Sequence, residues 1–214
     1  MRPTLRAGIA VATVFVLAAC GSETSSAGDP GEPSRPAAPS SGRPTAIPAA
    51  DGPVRTRTLV TVMDTGSPEL CLGPVAESYP PHCGGPALRG WDWAEHRGTY
   101  RQSGATRWGG YVVIGTFDGT AFTVLHAIPE ASWDPAAPPP PANTGDAGTP
   151  GQWLIKVQKR LAMQPLPGTL STYPTLTGVT VDVVYDDGSL QAWADRAFGG
   201  LVTVRSALVP LDWQ

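Results

Sequence analysis

The chain has 214 residues, with 15 basic and 18 acidic side chains that give a net charge of −3 at pH 7. An acidic chain with scattered arginines argues against a nucleic-acid partner and against electrostatic binding to anionic lipid. The one membrane-like apolar run, residues 9–17, is shorter than the roughly 20 residues that a spanning helix needs. These properties leave a chain with a folded body and no predicted membrane span.

The N-terminus has the layout of a cleaved secretory signal. Arg2 and Arg6 precede the apolar run, and Leu17-Ala18-Ala19-Cys20 closes it. A cysteine at the cleavage point is typical of a bacterial lipobox, so we expect residues 1–19 to be a lipoprotein signal peptide and Cys20 to be lipidated. Two acyl chains, palmitate among them, would anchor the protein at the extracytoplasmic face of the cell membrane.

Two stretches of small residues and proline divide the remainder of the chain. Residues 20–54 contain few large apolar side chains, chiefly Ile47 and Val54, so they bury too little surface to fold and are predicted to be a disordered tether. Residues 131–148 include four consecutive prolines and are predicted to be a linker between two domains.

Residues 55–130 alternate short apolar runs with turn residues, which predicts a β-rich domain. The clearest hairpin runs from Gly110 to Ala127 around Asp118-Gly119, a strong local hairpin signal. Tyr111 and Phe117 share one face of its first arm. Short strands in so small a domain predict an OB-like barrel, with an open sandwich as the alternative.

Cys71 and Cys83 are the only cysteines after the lipobox. In an oxidising extracytoplasmic space such a pair indicates one disulfide. A redox or metal role is less favoured, because the C-x11-C spacing matches neither C-x-x-C nor the usual zinc sites. We therefore expect the β-rich domain to be held by this bridge.

Residues 149–214 predict a small α+β domain with one or two helices, which makes the whole chain α+β. Thr149, Pro150 and Gln152 resemble a capping box. The predicted elements after it are a helix with the apolar stripe Leu154, Val157 and Leu161, a strand with Val179, Val181 and Val183 on one face, and a final strand over 201–209. The segment after Gly188 could be a second helix ending at Gly199 or the return arm of a hairpin.

The sharpest catalytic candidate is Asp64, because Asp64-Thr65-Gly66-Ser67 resembles the signature of aspartic proteases. That chemistry needs two aspartates that share one proton around a water. The chain has no second such motif, so the site would require a homodimer. The structural interpretation, a polar turn between two strands, is favoured.

A possible ligand surface is formed by Trp91, Asp92 and Trp93. Two tryptophans and a carboxylate could bind a sugar, or Asp92 could join His82 and His96 around a metal. The favoured interpretation is that the aromatic rings fill the core of a small domain, and no metal site is predicted.

Two further candidates also have structural interpretations. Asp182, Asp186 and Asp187 could bind calcium or serve a hydrolase, but they lack the ligand pattern of an EF-hand loop, and Asp186-Asp187-Gly188 is typical of a turn. His126, at the end of a predicted strand, is better explained as a half-buried strand residue than as a base.

Five segments of the chain form a distinctive set: Glu69 to Gly73, Ser78 to Pro86, Gly90 to Trp93, Tyr185 to Trp193 and Ser206 to Leu208. Together they resemble a signature of secreted and lipid-anchored proteins of high-GC Gram-positive bacteria. That family has no assigned activity, so it implies no catalytic residues. It does imply that Cys71 and Cys83 pair, and that the prolines and glycines between them are structural.

The function expected from the sequence is that of a lipid-anchored, noncatalytic binding module without a cofactor. Its ligand, a protein or an envelope component, would bind in a groove between the two domains or near Trp91 and Trp93. The alternatives are a dimeric aspartic-protease-like hydrolase that uses Asp64, and a structural envelope-assembly factor.

Overall fold

A computed structural model of the chain describes residues 42–134 and 150–211. The expected signal peptide, Cys20 and most of the predicted linker lie outside the described residues. The described ranges contain eleven strands and two α-helices, which confirms the α+β class. The elements are β1 (Val54–Thr56), β2 (Val60–Asp64), β3 (Pro68–Cys71), β4 (Ala87–Arg89), β5 (Arg101–Ser103), β6 (Thr106–Phe117), β7 (Ala121–Pro129), α1 (Gln152–Met163), β8 (Thr169–Pro174), β9 (Val179–Val183), α2 (Ser189–Phe198), β10 (Val202–Ser206) and β11 (Leu208–Pro210).

Five of these strands close a small barrel. Around the barrel the order is β2, β3, β4, β7 and β6, and β6 pairs again with β2. Neighbours are antiparallel except β4 and β7, which are parallel. Numbered in chain order, the barrel strands follow 1-2-3-5-4-1, the Greek-key arrangement of a five-stranded OB barrel. The predicted OB-like barrel is therefore confirmed.

The barrel core is filled by alternate residues of its strands. Val62 and Leu70 point inward from β2 and β3, and Tyr111, Val113 and Phe117 point inward from β6; none of the five is more than 2% exposed. Successive side chains of a strand point to opposite faces, so the inward face of β6 is the one that the hairpin pattern predicts.

The predicted hairpin is formed by β6 and β7. Its turn is held by Asp118, whose Oδ1 accepts the backbone N–H groups of Thr120 and Ala121. Near the turn the register shifts after Ile114. A Cβ at Gly115 would overlap the Thr123 carbonyl oxygen and the Phe122 ring, so the close approach of the two strands at this point requires glycine.

The predicted disulfide between Cys71 and Cys83 is confirmed, with Cα atoms 5.7 Å apart. Cys71 ends β3, and Cys83 lies in the loop that leads to β4. On the outer face of the barrel Met63 and Trp108 pack against the bridge, and Tyr79 packs edge-on against Trp108 with ring centroids 5.3 Å apart. The bridge thus holds a long loop against the barrel wall.

The second piece, here called the α+β piece, is a three-stranded sheet with both helices on one face. β9 lies between β8, which is antiparallel to it, and β10, which is parallel. The apolar residues that pack between sheet and helices include Val179, Val181, Val183, Leu154, Leu161, Leu190 and Ala194. The opposite face of the sheet is polar.

The start of α1 differs from the prediction. The helix begins at Gln152, and Gly151 before it has ψ 147° and makes no side-chain cap. Because Gly151 is extended, Pro150 cannot be the first helical residue, so the predicted capping box is wrong; Thr149 lies outside the described residues. The undecided segment after Gly188 is a helix, α2, whose C-cap is Gly199 with a left-handed φ of 63°.

The edge of β10 is covered by a side chain of α2. Gln191 accepts the N–H of Val204 at 2.7 Å and donates to the carbonyl of Val202 at 3.0 Å. The same amide group also donates to Asp195 at 2.8 Å. Gln191 therefore occupies the backbone groups that a further strand would use.

The barrel and the α+β piece belong to one compact unit, residues 39–214. β11 follows β10 but pairs with β1 beside the barrel. Val184 and Leu208 pack into the barrel core. The last strand of the predicted second domain thus completes the sheet of the first.

Residues 43–50, here called the strap, also connect the two pieces. Arg43 donates to the carbonyls of Gln164 and Pro165 at the end of α1, at 2.7 and 3.1 Å. Ile47 packs against the barrel core, and the N–H of Ala50 donates to the Phe117 carbonyl at 2.9 Å. The predicted tether extends to residue 54, but its last part is folded onto the protein because Ile47 finds apolar surface there.

Candidate ligand-binding groove

Asp64 lies at the end of β2, in the turn that leads to β3. Its Oδ1 accepts the N–H of Gly66 and its Oδ2 accepts the indole N–H of Trp93, each at 2.8 Å. Both carboxylate oxygens are therefore engaged by donors of the protein itself. This geometry favours the turn interpretation of the motif over a catalytic one.

The three residues of the possible ligand surface lie at one end of the barrel. Trp93 is 5% exposed and belongs to the core. Trp91 is half-buried and stacks on His96, with ring centroids 4.0 Å apart and planes 16° apart. Asp92 accepts the N–H of Ala94 at 2.8 Å in an exposed turn. The two indole rings thus pack mainly on other aromatic rings of the protein.

His96 is a titratable group within this aromatic cluster. Burial lowers the pKa of His96 below its ordinary value, although Glu95 and Asp92 oppose the shift. His126, on β7, lines a shallow depression that also contains Glu95 and His96. Within the described residues no group of three histidine, cysteine, aspartate or glutamate side chains could hold a metal ion.

The three aspartates of the second half separate into two roles. Asp186 caps α2, because its Oδ1 accepts the N–H groups of Gly188 and Leu190 at 2.9 Å. Asp187 accepts the N–H of Ser189 at 2.9 Å. Asp182 faces the other way, on the polar face of the three-stranded sheet, where it contributes to a groove.

This groove lies between the barrel and the α+β piece and has a volume of about 290 Å³. The barrel side contributes Arg57 and Thr58, which follow β1, and the loop after β3 contributes Leu72 and Gly73. The other wall is made by residues of the three-stranded sheet. We call it the Arg57 groove; its lining is Arg57, Thr58, Leu72, Gly73, Pro74, Leu170, Ser171, Asp182, Arg205, Ser206 and Ala207.

Three side chains form a polar row across the wall of the sheet. In the strand register Ser171 on β8 and Arg205 on β10 both oppose Asp182 on β9. Arg205 donates to both carboxylate oxygens, at 2.6 and 3.2 Å, and Ser171 donates at 2.7 Å. Burial by itself would raise the pKa of Asp182, but these hydrogen bonds outweigh it and the pKa is lowered. The hydrogen bonds to Asp182 raise the pKa of Arg205.

Arg57 projects toward the same wall. Its Nε donates to the Ser206 carbonyl at 2.7 Å, which restrains the guanidinium. Among the described residues the ion pairs are Arg89–Asp118 and Arg205–Asp182, so Arg57 has no carboxylate partner in this part of the chain. Burial and the nearby charges of Arg205 and Arg55 lower the pKa of Arg57, with Asp182 opposing.

A second cleft of about 500 Å³ adjoins the Arg57 groove, and Thr58, Leu72 and Gly73 line both. Its walls include Tyr100 and Glu130. The groove and the cleft together form one continuous depression. Its polar end lies at Arg57, and the remainder runs along the outside of β2 and β6.

Sequence reasoning anticipated a groove between the two folded parts, but not the residues that line it. Arg57 and Arg205 are isolated arginines without a motif, and only the pairing of β11 with β1 brings them together. The one available signal was the alternation of Asp182 with the buried valines of β9. No part of the described chain forms a helix long and apolar enough to cross a membrane.

The chain was compared with known proteins at three levels. No protein-family model, no curated protein and no solved structure matches it.

Proposed function

We propose that this protein is a lipid-anchored, noncatalytic binding protein of the extracytoplasmic face of the cell membrane, and that its ligand binds in the Arg57 groove. The single observation that carries the binding role is the groove itself. Polar side chains from two different pieces converge there around a concave surface, which is the usual form of a ligand site.

Two features support the extracytoplasmic anchor. The lipobox ending at Cys20 follows a secretory signal pattern. The bridge between Cys71 and Cys83 is of the kind that persists in oxidising compartments and is rare in the cytosol. A tether between Cys20 and the strap would display the groove outside the lipid surface.

A noncatalytic role is supported by the way the candidate acidic residues are used. Asp64 has both oxygens engaged, and Asp186 caps a helix. Asp182 is held by Arg205 and Ser171, so it is not placed as a free general base. Each of these carboxylates has a structural task.

The anchor is tested by metabolic labelling with a palmitate analogue in a Gram-positive host. The native protein should become labelled and remain with the membrane fraction. Cys20→Ser should lose the label and leave the membrane. Equal labelling of both proteins would overturn the proposed anchor.

The binding role is tested by filling the groove. A Cβ at Gly73 would lie 3.5 Å from the Leu170 side chain, which is ordinary contact, so Gly73→Phe should be accommodated and should occupy the groove. Gly84→Phe is the matched control, because nothing lies within 4 Å of a Cβ there. Native mass spectrometry of protein purified from its own envelope should show a bound species that Gly73→Phe loses and Gly84→Phe keeps. The absence of any such species would contradict the binding role.

A further inference from the structure

The charges around the Arg57 groove differ from those of the whole chain. The chain is acidic, with a net charge of −3. The charged side chains that line the groove are those of Arg57, Arg205 and Asp182, and the charge of Arg55 also acts on Arg57. The groove is thus a local concentration of positive charge on an acidic protein, which favours an anion.

The geometry of Arg57 leaves its hydrogen-bonding edge available. Its Nε donates to the Ser206 carbonyl at 2.7 Å, and among the described residues the two terminal amino groups have no hydrogen-bond acceptor. A guanidinium presents its donors in a rigid plane that matches two oxygens of a carboxylate or phosphate. Because the Ser206 contact already restrains the guanidinium, part of the side-chain freedom that binding would remove is lost beforehand.

The second arginine of the groove is held differently. Arg205 is paired with Asp182 through Nε and one terminal nitrogen. That pairing orients Arg205 and also opposes its positive charge with a carboxylate. Asp182 therefore limits the strength with which the groove attracts an anion.

We propose that the Arg57 groove binds an oxyanion group of its ligand, a carboxylate or a phosphate, with Arg57 as the principal donor and Arg205 beside it. This inference rests on the proposed function, since it assigns the chemical class of the ligand for the same groove. Carboxylate and phosphate share the recognition chemistry, and the test separates them.

The experiment is an NMR titration of the purified protein with inorganic phosphate and, separately, with acetate, at constant ionic strength. The signals followed are the Arg57 Nε–H and the backbone N–H of Ala207, which lines the groove. At least one anion should give saturable shifts of these signals. Saturation with phosphate alone indicates a phosphate-bearing ligand, and saturation with acetate alone indicates a carboxylate.

Three variants identify the groups responsible. Arg57→Gln should weaken anion binding by about tenfold or more, and Arg57→Lys should weaken it less, because lysine keeps the charge but not the planar fork. Arg89→Gln is the control, since Arg89 pairs with Asp118 at another site, and it should change nothing.

A variant that is expected to bind the anion more tightly excludes unfolding as the cause of weaker binding in the others. Asp182→Asn removes the carboxylate that competes for Arg205 and should tighten anion binding by a few-fold, a gain that an unfolded protein cannot produce. The inference is overturned if neither anion gives saturable shifts, or if Arg57→Gln binds as tightly as the native protein. If these tests fail while Gly73→Phe still loses an envelope-derived species, the ligand is not an anion and the binding role stands.

Discussion

Trp93 donates its indole N–H to Oδ2 of Asp64 at 2.8 Å, which joins two segments that the sequence offered as separate candidate sites. The second oxygen of Asp64 accepts the N–H of Gly66. One carboxylate therefore shapes the turn between β2 and β3 and also fixes the ring that fills that end of the barrel.

The first prediction concerns this contact. Asp64→Ala should lower the free energy of unfolding by about 1–3 kcal/mol, because the N–H groups of Trp93 and Gly66 would lose their acceptor. Asp64→Asn should cost less, since its one carbonyl oxygen can still accept one of them. Urea denaturation of both variants measures the difference.

A double-mutant cycle with Trp93→Phe is the control. The two single changes should be non-additive by about 0.5 kcal/mol or more, as expected for residues in contact. Strictly additive effects would show that the hydrogen bond contributes nothing to stability.

The second prediction is a pH dependence that originates at His96. Its folded-state pKa is lowered by burial from the ordinary 6.5, so the unfolded chain binds the proton more tightly than the folded protein. The free energy of unfolding should therefore fall as the pH drops below about 6.5 and continue to fall down to the lowered pKa. Urea midpoints measured between about pH 5 and 7 test this window.

His96→Gln should flatten the slope in that window, whereas His126→Gln, at an exposed position on β7, should leave it in place. Asp118 and Asp182 also have lowered pKa values, but they affect stability at a lower pH. The stabilisation from a carboxylate with a lowered pKa is lost only when the pH falls below the ordinary carboxyl pKa of 3.8. An unchanged slope in His96→Gln would assign the dependence to another group.

The third prediction concerns the bridge between Cys71 and Cys83. Replacing both cysteines by alanine should lower the free energy of unfolding by on the order of 3 kcal/mol in the chain-entropy model. Part of the loss would arise where the bridge packs against Met63 and Trp108. Denaturation with and without reductant should reproduce the same loss in the native chain. Free thiols in native material, detected by intact mass, would contradict it.

The fourth prediction concerns the edge of β10. Gln191→Ala would expose the N–H of Val204 and the carbonyl of Val202, and an uncovered strand edge promotes pairing with another chain. We expect concentration-dependent self-association, measured by sedimentation. Gln158→Ala is the matched control, because Gln158 makes one longer contact, 3.3 Å to the Thr172 carbonyl, and should associate less.

The sequence predicted those elements that depend on residues close together in the chain. The hairpin around Asp118 and the stripe of Leu154 and Leu161 follow from turn chemistry and helical spacing, and both are present. The predicted start of α1 is wrong. Pro150 and Gln152 fit the sequence pattern of a capping box, but Gly151 between them is extended rather than helical. At this position the backbone conformation of the fold overrides the local sequence preference.

The Arg57 groove could not be predicted in the same way. Arg57 and Ser206, which form its central contact, are 149 residues apart in the sequence. Their meeting depends on β11 crossing from the α+β piece to the barrel, a long-range pairing that leaves no periodic signal. The strap was missed for a related reason, since one Ile47 in a polar segment does not reveal the surface that receives it.

The strap has a mechanical consequence under the proposed anchor at Cys20. Tension along the tether would enter the fold at Arg43, where two hydrogen bonds and the ring of Trp193, 4.7 Å away, hold it to the end of α1 and to α2. The load would pass next to Ile47 and the barrel, and only then to β1. A pull from the membrane would thus load the contacts of the strap with both pieces of the fold before it reached β1, so the strap should set the first part of the structure to yield under force.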